Sequence, residues 1–543
     1  MIQFAKPAVF WQKKSWMKKL LLFSLVLVWA IAVPASPAMD PFVRLHFIGA
    51  ERILSDTNSA AFTNFFCSAE AQAVRAQTLD KLSRALVRWG NGPEFAGAGA
   101  ESLRPLLEDL FRAEWFLDVR SGPEGSLAFA LALRLEAGRA AVWQDALAAV
   151  MEAQTKITPQ KIPGGWQWKR SPASHPLRFV RAGDGCVFSC EPEDGVLGKG
   201  AAAAVSAPGA RSDWLSLDVD WPRLAKRFSA RFPALSALDI PETRLRVVGR
   251  DGNLRLDGKI IAGEPFAFTL DSWRMPTNTI HQPVISFTAL RGLAPWLQRQ
   301  AWAQPYLISP APNQVFFWAL QGIPFQTYAA VPVPDASAAL VQLHERAAAG
   351  STNWHSQMAL PMSMSLSDRE ITWVGLPFVA PHVRVVREAS GDFLLGGLFP
   401  NAPRGKPLPP ELLARLATAN LVLYHWEITA QRLEMLLQPA QLTLMATRHK
   451  QFDTESAAGK WLNHVGPTLG NSTTEITQTA PNELTFTRRA PGGLTALELF
   501  ALANWLDATN FPGCDLRLPP PRRVRNLPPS TKGASAPVLP APH

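Results

Sequence analysis

The chain has 543 residues, of which 47% are hydrophobic and 18% charged. That length admits about two to four domains, and the balance excludes a disordered, collagen-like or coiled-coil protein. The net charge of +10 sits at the ends, with +5 from Lys6, Lys13, Lys14, Lys18 and Lys19 before residue 39 and +4 from residues 515–543. The body between them carries only +1. A nucleic-acid surface needs clustered basic charge on the folded part, so nucleic acid is not expected as a partner.

Lys18-Lys19 precede the apolar run Leu20–Val33, followed by Pro34-Ala35-Ser36-Pro37-Ala38. A basic start, a short apolar run and small residues at a cleavage site predict a signal peptide over 1–38 and export to the periplasm, the cell envelope or beyond. The alternative is an uncleaved anchor, which the length disfavours because a spanning helix needs about 20 apolar residues. Met17 offers a second start for translation. No later run is long enough to span a membrane, so the mature chain is expected to lack a transmembrane segment. Export exposes Cys67, Cys186, Cys190 and Cys514 to an oxidising compartment. Cys186 and Cys190 lie on one predicted strand, about 13 Å apart, too far for a disulfide with each other. Other pairings, or buried free thiols, stay open. No further Cys or His lies near that pair, so no metal is expected.

Along the body, elements recur in the same order. In 39–275, strands at 115–122 and 127–133 lead to a helix at 139–154. A hairpin follows at 177–181 and 186–189, and then a strand at 214–220 runs into a helix that Asp220 caps. A second hairpin, 245–250 and 254–261, turns at Asp251-Gly252. In 276–513, strands at 315–322 and 325–333 lead to a helix at 336–349, with Asp335 as N-cap and Gly350 as stop. A hairpin at 383–387 and 392–395 comes next, then a strand at 423–429 with Thr429 as cap, and then a hairpin at 474–479 and 484–488. Arg178 and Arg181 stand 206 positions before Arg384 and Arg387. Helical insertions differ, at 68–112 and 434–468. The expected fold is α+β, two similar units of antiparallel sheet with helices packed on one face, a possible internal duplication. Residues 514–543, with eight prolines after 518, predict a disordered tail.

No nucleophile elbow, phosphate loop or dinucleotide fingerprint appears, and no cofactor is implied. His425 and Glu427 are the best candidates for chemistry. On a strand they share a face about 6.6 Å apart, and a His beside a carboxylate can do acid–base work or bind a metal. Val422, Tyr424, Trp426 and Ile428 form the opposite, core-facing set. The matching residues of the first unit are Ser216 and Asp218, which lack the imidazole; Asp218 and Asp220 read as structural. The chain holds 19 Trp against three Tyr; Trp115, Trp143, Trp318 and Trp505 fall at apolar positions and are expected to fill core.

The stretches Trp273-Arg-Met-Pro-Thr-Asn278, Gly397-Leu-Phe-Pro-Asn401, Trp426-Glu-Ile-Thr429 and Thr479-Ala-Pro-Asn482 resemble a family of exported bacterial proteins with no assigned activity. The likeness covers most of the mature chain, its motifs read as turn and cap chemistry, and it adds no catalytic residues. Three functional readings follow. The first is a non-enzymatic binding or scaffolding protein with a protein or envelope partner. The second is a hydrolase using His425 and Glu427. The third is a carrier of an apolar ligand or lipid.

Overall fold

The computed structural model describes residues 41–91, 100–121, 127–155, 157–169, 174–192, 195–206, 213–228, 240–300, 303–321, 326–358, 363–375, 379–399, 405–437, 454–509 and 511–512. The predicted signal peptide, the predicted disordered tail, Cys514, Asn401 and part of the second helical insertion lie outside them.

Twenty strands form one continuous antiparallel sheet. The first ten are β1 Pro41–Phe47, β2 Trp115–Ser121, β3 Leu127–Arg134, β4 Gln160–Ile162, β5 Gly165–Trp168, β6 Leu177–Ala182, β7 Gly185–Cys190, β8 Leu215–Val219, β9 Glu242–Arg250 and β10 Asn253–Ile261. The second ten are β11 Val284–Arg291, β12 Gln314–Leu320, β13 Thr327–Val333, β14 Ser363–Leu366, β15 Glu370–Val374, β16 His382–Glu388, β17 Gly391–Gly397, β18 Leu421–Ile428, β19 Asn471–Ala480 and β20 Glu483–Ala490. From one edge inward the order is β4-β5-β6-β7-β3-β2-β1-β8-β9-β10. From the other edge it is β14-β15-β16-β17-β13-β12-β11-β18-β19-β20. The two Arg-x-x-Arg hairpins therefore hold the same place in the two orders. The inner strands β10 and β20 pair with each other, and Gly258 faces Phe486 at the middle of that pairing. Counting outward from there, Leu256 faces Arg488 and Ile260 faces Leu484, as in any antiparallel pairing.

Turn and cap chemistry explains several boundaries. Asp251 and Gly252 both take positive φ, 53° and 72°, as a two-residue hairpin turn demands. Asp335 Oδ1 accepts from the backbone N–H of Ser337 and Ala338, starting the helix Ala336–Met358. That helix runs past Gly350, where the sequence predicts a stop; one interior glycine costs only about 1 kcal/mol.

Helices cover both faces of the sheet, which corrects the expectation of one covered face. Ala137–Thr155 packs with Phe129, Leu133, Phe179 and Phe188, and Ala336–Met358 with Val333 and Leu394 on the same face. On the opposite face Val196–Ser206 packs on Ala130, Ala132 and Val187, and Pro410–Leu416 on Ala289, Phe316 and Tyr424. Strands such as β3 (Leu-Ala-Phe-Ala-Leu-Ala-Leu-Arg) are apolar at nearly every position, the composition of a strand buried on both sides.

The helical insertions of the two halves pack together. Phe65 and Trp461 meet edge-on with ring centroids 5.1 Å apart, and Trp461 Nε1 donates to Phe65 O at 3.0 Å. Lys81 Nζ reaches the last carbonyls of the helix Ala496–Asp507, at Leu506 and Asp507, where a cation favours the helix dipole. The segment 273–283 is fastened to the second half through Thr279 Oγ1 and the Asn278 N–H, both bound to Glu388. Among the described residues, no helix is long and apolar enough to cross a membrane.

At the centre the sheet is amphipathic. On one face Arg246 pairs with Asp218, Arg255 with Asp257, and Lys259 with Glu483. On the other face a row of apolar residues passes from strand to strand. Leu117 faces Leu45, Leu45 faces Leu217, and Leu217 faces Leu245. Leu245 faces Gly258, and Gly258 faces Phe486. Beyond that point Ile476, Leu423, Leu290 and Val315 continue the row. Directly opposed residues of an antiparallel pair share a face, so these ten positions make one stripe. Nine strand spacings give it a length of about 43 Å. Every one of them is half-buried.

Candidate functional site

The sheet register brings His425 and Glu427 together with partners remote in sequence. β18 lies between β11 and β19, so His425 faces Thr288 on one side and Thr474 on the other. Thr474 in turn faces Arg488. His425 Nδ1 and Thr288 Oγ1 share a hydrogen bond of 2.7 Å. On its other side His425 Nε2 lies 3.4 Å from Glu427 Oε2. Glu427 is 3% exposed, and its Oε1 accepts from the backbone N–H of Ala496 at 2.7 Å.

That N–H opens the helix Ala496–Asp507, whose own capping box joins Thr495 and Glu498. A carboxylate there satisfies an orphan donor and complements the helix dipole. Burial by itself pushes the Glu427 carboxyl up, but the neighbouring His425 and the Ala496 N–H outweigh it and hold it below its usual range. Arg488 completes the row, with Nε on Thr474 Oγ1 at 2.9 Å and both Nη atoms on Glu498 at 2.7 and 3.1 Å. Thr429, predicted to cap its helix, instead shares a buried 2.6 Å hydrogen bond with Ser472 Oγ.

Register also corrects the predicted match between halves. Counted from Gly258–Phe486, the counterparts of Arg488, Thr474, His425 and Thr288 are Ile260, Thr243, Val219 and Val43. Ser216 is not the partner of His425, because β18 runs further past the common register than β8 does. Asp218 binds Arg246 at 2.9 Å, and Asp220 caps its helix through the Arg223 N–H at 3.0 Å. Asp220 thus holds the cap position read from the sequence.

A second His–Glu pair, not anticipated from sequence, lies in the first half. His46 Nε2 and Glu114 Oε1 are 2.9 Å apart, with side chains 3% and 7% exposed. Glu114 Oε2 also accepts from Arg52 at 3.1 Å and Arg134 at 3.0 Å. Burial works to raise the Glu114 carboxyl, yet His46, Arg134 and Arg52 together hold it low. A cleft lined by Arg52, Arg112, Glu114, Arg134, Arg139 and Asp184 opens beside the pair. Its arginines are engaged: Arg139 grips Asp109 at 2.6 Å, and Arg134 also donates to Val205 O. A separation of 68 positions between His46 and Glu114 hides the pair from any local motif.

Cys67, Cys186 and Cys190 are free thiols; burial pushes Cys186 and Cys190 up to about 12, which leaves them unreactive. Trp143 and Trp318 are buried core residues, and Trp115 and Trp505 are half-buried with Nε1 bound to Leu110 O and Pro512 O. Among the described residues, no three His, Cys, Asp or Glu side chains gather as a metal site.

No family model matches the chain, and no curated protein matches it. A solved structure described as crystal form I of TP0453 aligns at a TM-score of 0.19 with 8% identity, covering 44% of this chain and 100% of that one. A likeness that weak carries no argument about fold or function.

Proposed function

We propose that the protein is exported and works by binding rather than by turnover, as a non-enzymatic binding or scaffolding protein built by internal duplication. The repeated strand order, with the two Arg-x-x-Arg hairpins in the same place in each half, supports the duplication. The observation that carries the binding reading is the continuous, half-buried apolar stripe across the middle of the sheet. Isolated apolar surface residues are ordinary, whereas a contiguous apolar patch marks an interaction surface. The groups that could do chemistry are meanwhile spent on one another: Glu427 holds a helix start, and His425 holds Thr288. The resemblance to exported proteins agrees with export.

A hydrolase is the second reading, favoured by the chain Thr288–His425–Glu427, in which a hydroxyl, an imidazole and a carboxylate stand in sequence as a nucleophile, base and orienting acid would. The purified protein assayed against a panel of ester, amide and phosphoester substrates decides between them. Inert protein is expected; turnover that disappears in His425→Ala establishes the hydrolase instead.

A further inference from the structure

Resting on the binding reading, we infer that the stripe is the seat of a single acyl chain with an anionic head group. The first argument is chemical uniformity. Leu245, Leu217 and Leu45 follow Gly258 across the first half without a polar atom. Every backbone group beneath them is spent on strand pairing, so the face offers no unpaired N–H or C=O to an extended peptide. A hydrocarbon chain asks for none.

The second argument is length. From Gly258 on β10 to Leu45 on β1 there are three strand spacings, about 14 Å. One leaflet of a bilayer, half of about 30 Å, is built by acyl chains of about that reach.

The third argument is polarity at one end. In the first half the stripe is flanked by Leu215 and Val247 on one side and by Val43, Val219 and Thr243 on the other, with the Thr243 hydroxyl donated to Pro241 O. In the second half the flank becomes Thr474, His425 and Thr288. Arg488 stands at the boundary, its guanidinium 5.3 Å from the centroid of Phe486 in the stripe itself. The tail therefore lies in the first half and the anionic head at Arg488. The present partner of Arg488, Glu498, has a 43% exposed side chain and is the carboxylate that an incoming head group displaces. A fatty-acid carboxylate and the phosphate of a lysophospholipid share this chemistry.

The test is displacement of the fluorescent fatty acid cis-parinarate from the full protein by palmitate, by palmitoyl-lysophosphatidylglycerol and by hexadecanol, with the thermal unfolding of each variant recorded. Saturable palmitate binding is expected, at least tenfold weaker in Leu245→Asp and within twofold of the parent in Thr485→Asp, which places the same charge on the opposite face of the sheet. Arg488→Gln should weaken palmitate about tenfold while leaving hexadecanol unchanged, and the stronger of the two anionic competitors identifies the head group. Should Leu245→Asp fail to fold, a diazirine-bearing palmitate on the unaltered protein is expected to crosslink to β1, β8 or β9.

Absent binding, equal loss in both Asp variants, or crosslinks confined to other elements would overturn the assignment. So would a solution dimer abolished by Leu245→Asp, or displacement of parinarate by an amphipathic helical peptide but not by palmitate. If palmitate fails and ester substrates stay intact, only the ligand class falls. If p-nitrophenyl palmitate is turned over, the reading of binding without turnover falls.

Discussion

The same four positions of the sheet hold Val43, Val219, Thr243 and Ile260 in one half and Thr288, His425, Thr474 and Arg488 in the other. The strand order around them is identical, so the backbone does not dictate the polar set. What differs is the cover. In the second half the start of the helix Ala496–Asp507 meets Glu427, and a buried N–H there needs an acceptor. Once Glu427 is buried it needs a partner, His425 supplies one, and Thr288 fixes the ring. In the first half the row is aliphatic except for Thr243, whose hydroxyl donates to Pro241 O. The first half nonetheless has its own buried His–Glu pair, His46 with Glu114, at the end of the sheet where Arg52 and Arg134 converge. A protein with one strand order used twice has thus placed its buried charge in two unrelated spots.

The largest expected effect breaks the pair of the first half. Glu114→Ala leaves His46 buried without its acceptor and releases Arg52 and Arg134. A loss of about 3 kcal/mol is expected, the low end for removing one partner of a buried pair, because both guanidinium groups reach solvent. Urea unfolding measures it. A loss below about 1 kcal/mol would show that the cluster is a solvated surface network. Glu427→Ala comes next, at about 2 kcal/mol, since it strands the Ala496 N–H and His425. If Glu427→Ala cost more than Glu114→Ala, the helix start would outweigh the arginine cluster, and the ranking of the two halves would reverse.

Acid should report on both sites. The Glu114 and Glu427 carboxyls are held below their usual range when folded, so the folded state binds fewer protons than the unfolded one. Each contributes stability that is fully present above the ordinary carboxyl value of about 4.3 and is lost as pH falls through the lower folded value. Melting temperature should therefore drop as pH falls below the ordinary carboxyl value of about 4.3, and Glu427→Gln should drop less steeply than the parent. Equal slopes in parent and variant would remove Glu427 from the account of acid sensitivity.

Transplanting the apolar row tests the comparison more gently. His425→Val and Thr288→Val adopt the residues of the first half. Because the two side chains share a hydrogen bond, their effects should couple by about 0.5–1.5 kcal/mol in a double-mutant cycle. Additive losses would mean that the 2.7 Å contact contributes nothing to the folded state.

The sequence made legible what is local. Asp251-Gly252 marks its turn by the positive φ it can adopt, Asp335 and Asp220 mark helix starts, and the period of two places His425 beside Glu427. Strand neighbours that follow one another along the chain were within reach; the joining of β10 to β20, more than 200 residues apart, was not. Thr288 reaches His425 only because β11 lies beside β18, and Glu114 reaches His46 only because the chain returns to β1 after a long helical insertion. The double-sided cover of β3 was readable in its unbroken apolar run but was masked by the hairpin pattern of the strands around it. Aligning the halves by their helix starts put Ser216 opposite His425, whereas hydrogen-bond register puts Val219 there.

The two helix starts offer the finest contrast. Asp220 and Thr429 stand at corresponding junctions of strand and helix, and both side chains could cap. Asp220 does so, with Oδ1 on the Arg223 N–H and Oδ2 on the Arg223 guanidinium at 2.9 Å. Thr429 is wholly buried and is drawn to Ser472 on the neighbouring strand. Asp220→Ala should therefore cost about 1 kcal/mol, the ordinary loss of a cap, and Asp220→Asn should recover most of it. Thr429→Ser, which keeps the hydroxyl, should cost less than Thr429→Val, which leaves Ser472 buried without its partner. Calorimetry of the four variants ranks them. Equal losses in Thr429→Ser and Thr429→Val would mean that the methyl group, not the hydroxyl, holds this junction, and the two helix starts would then differ in packing alone.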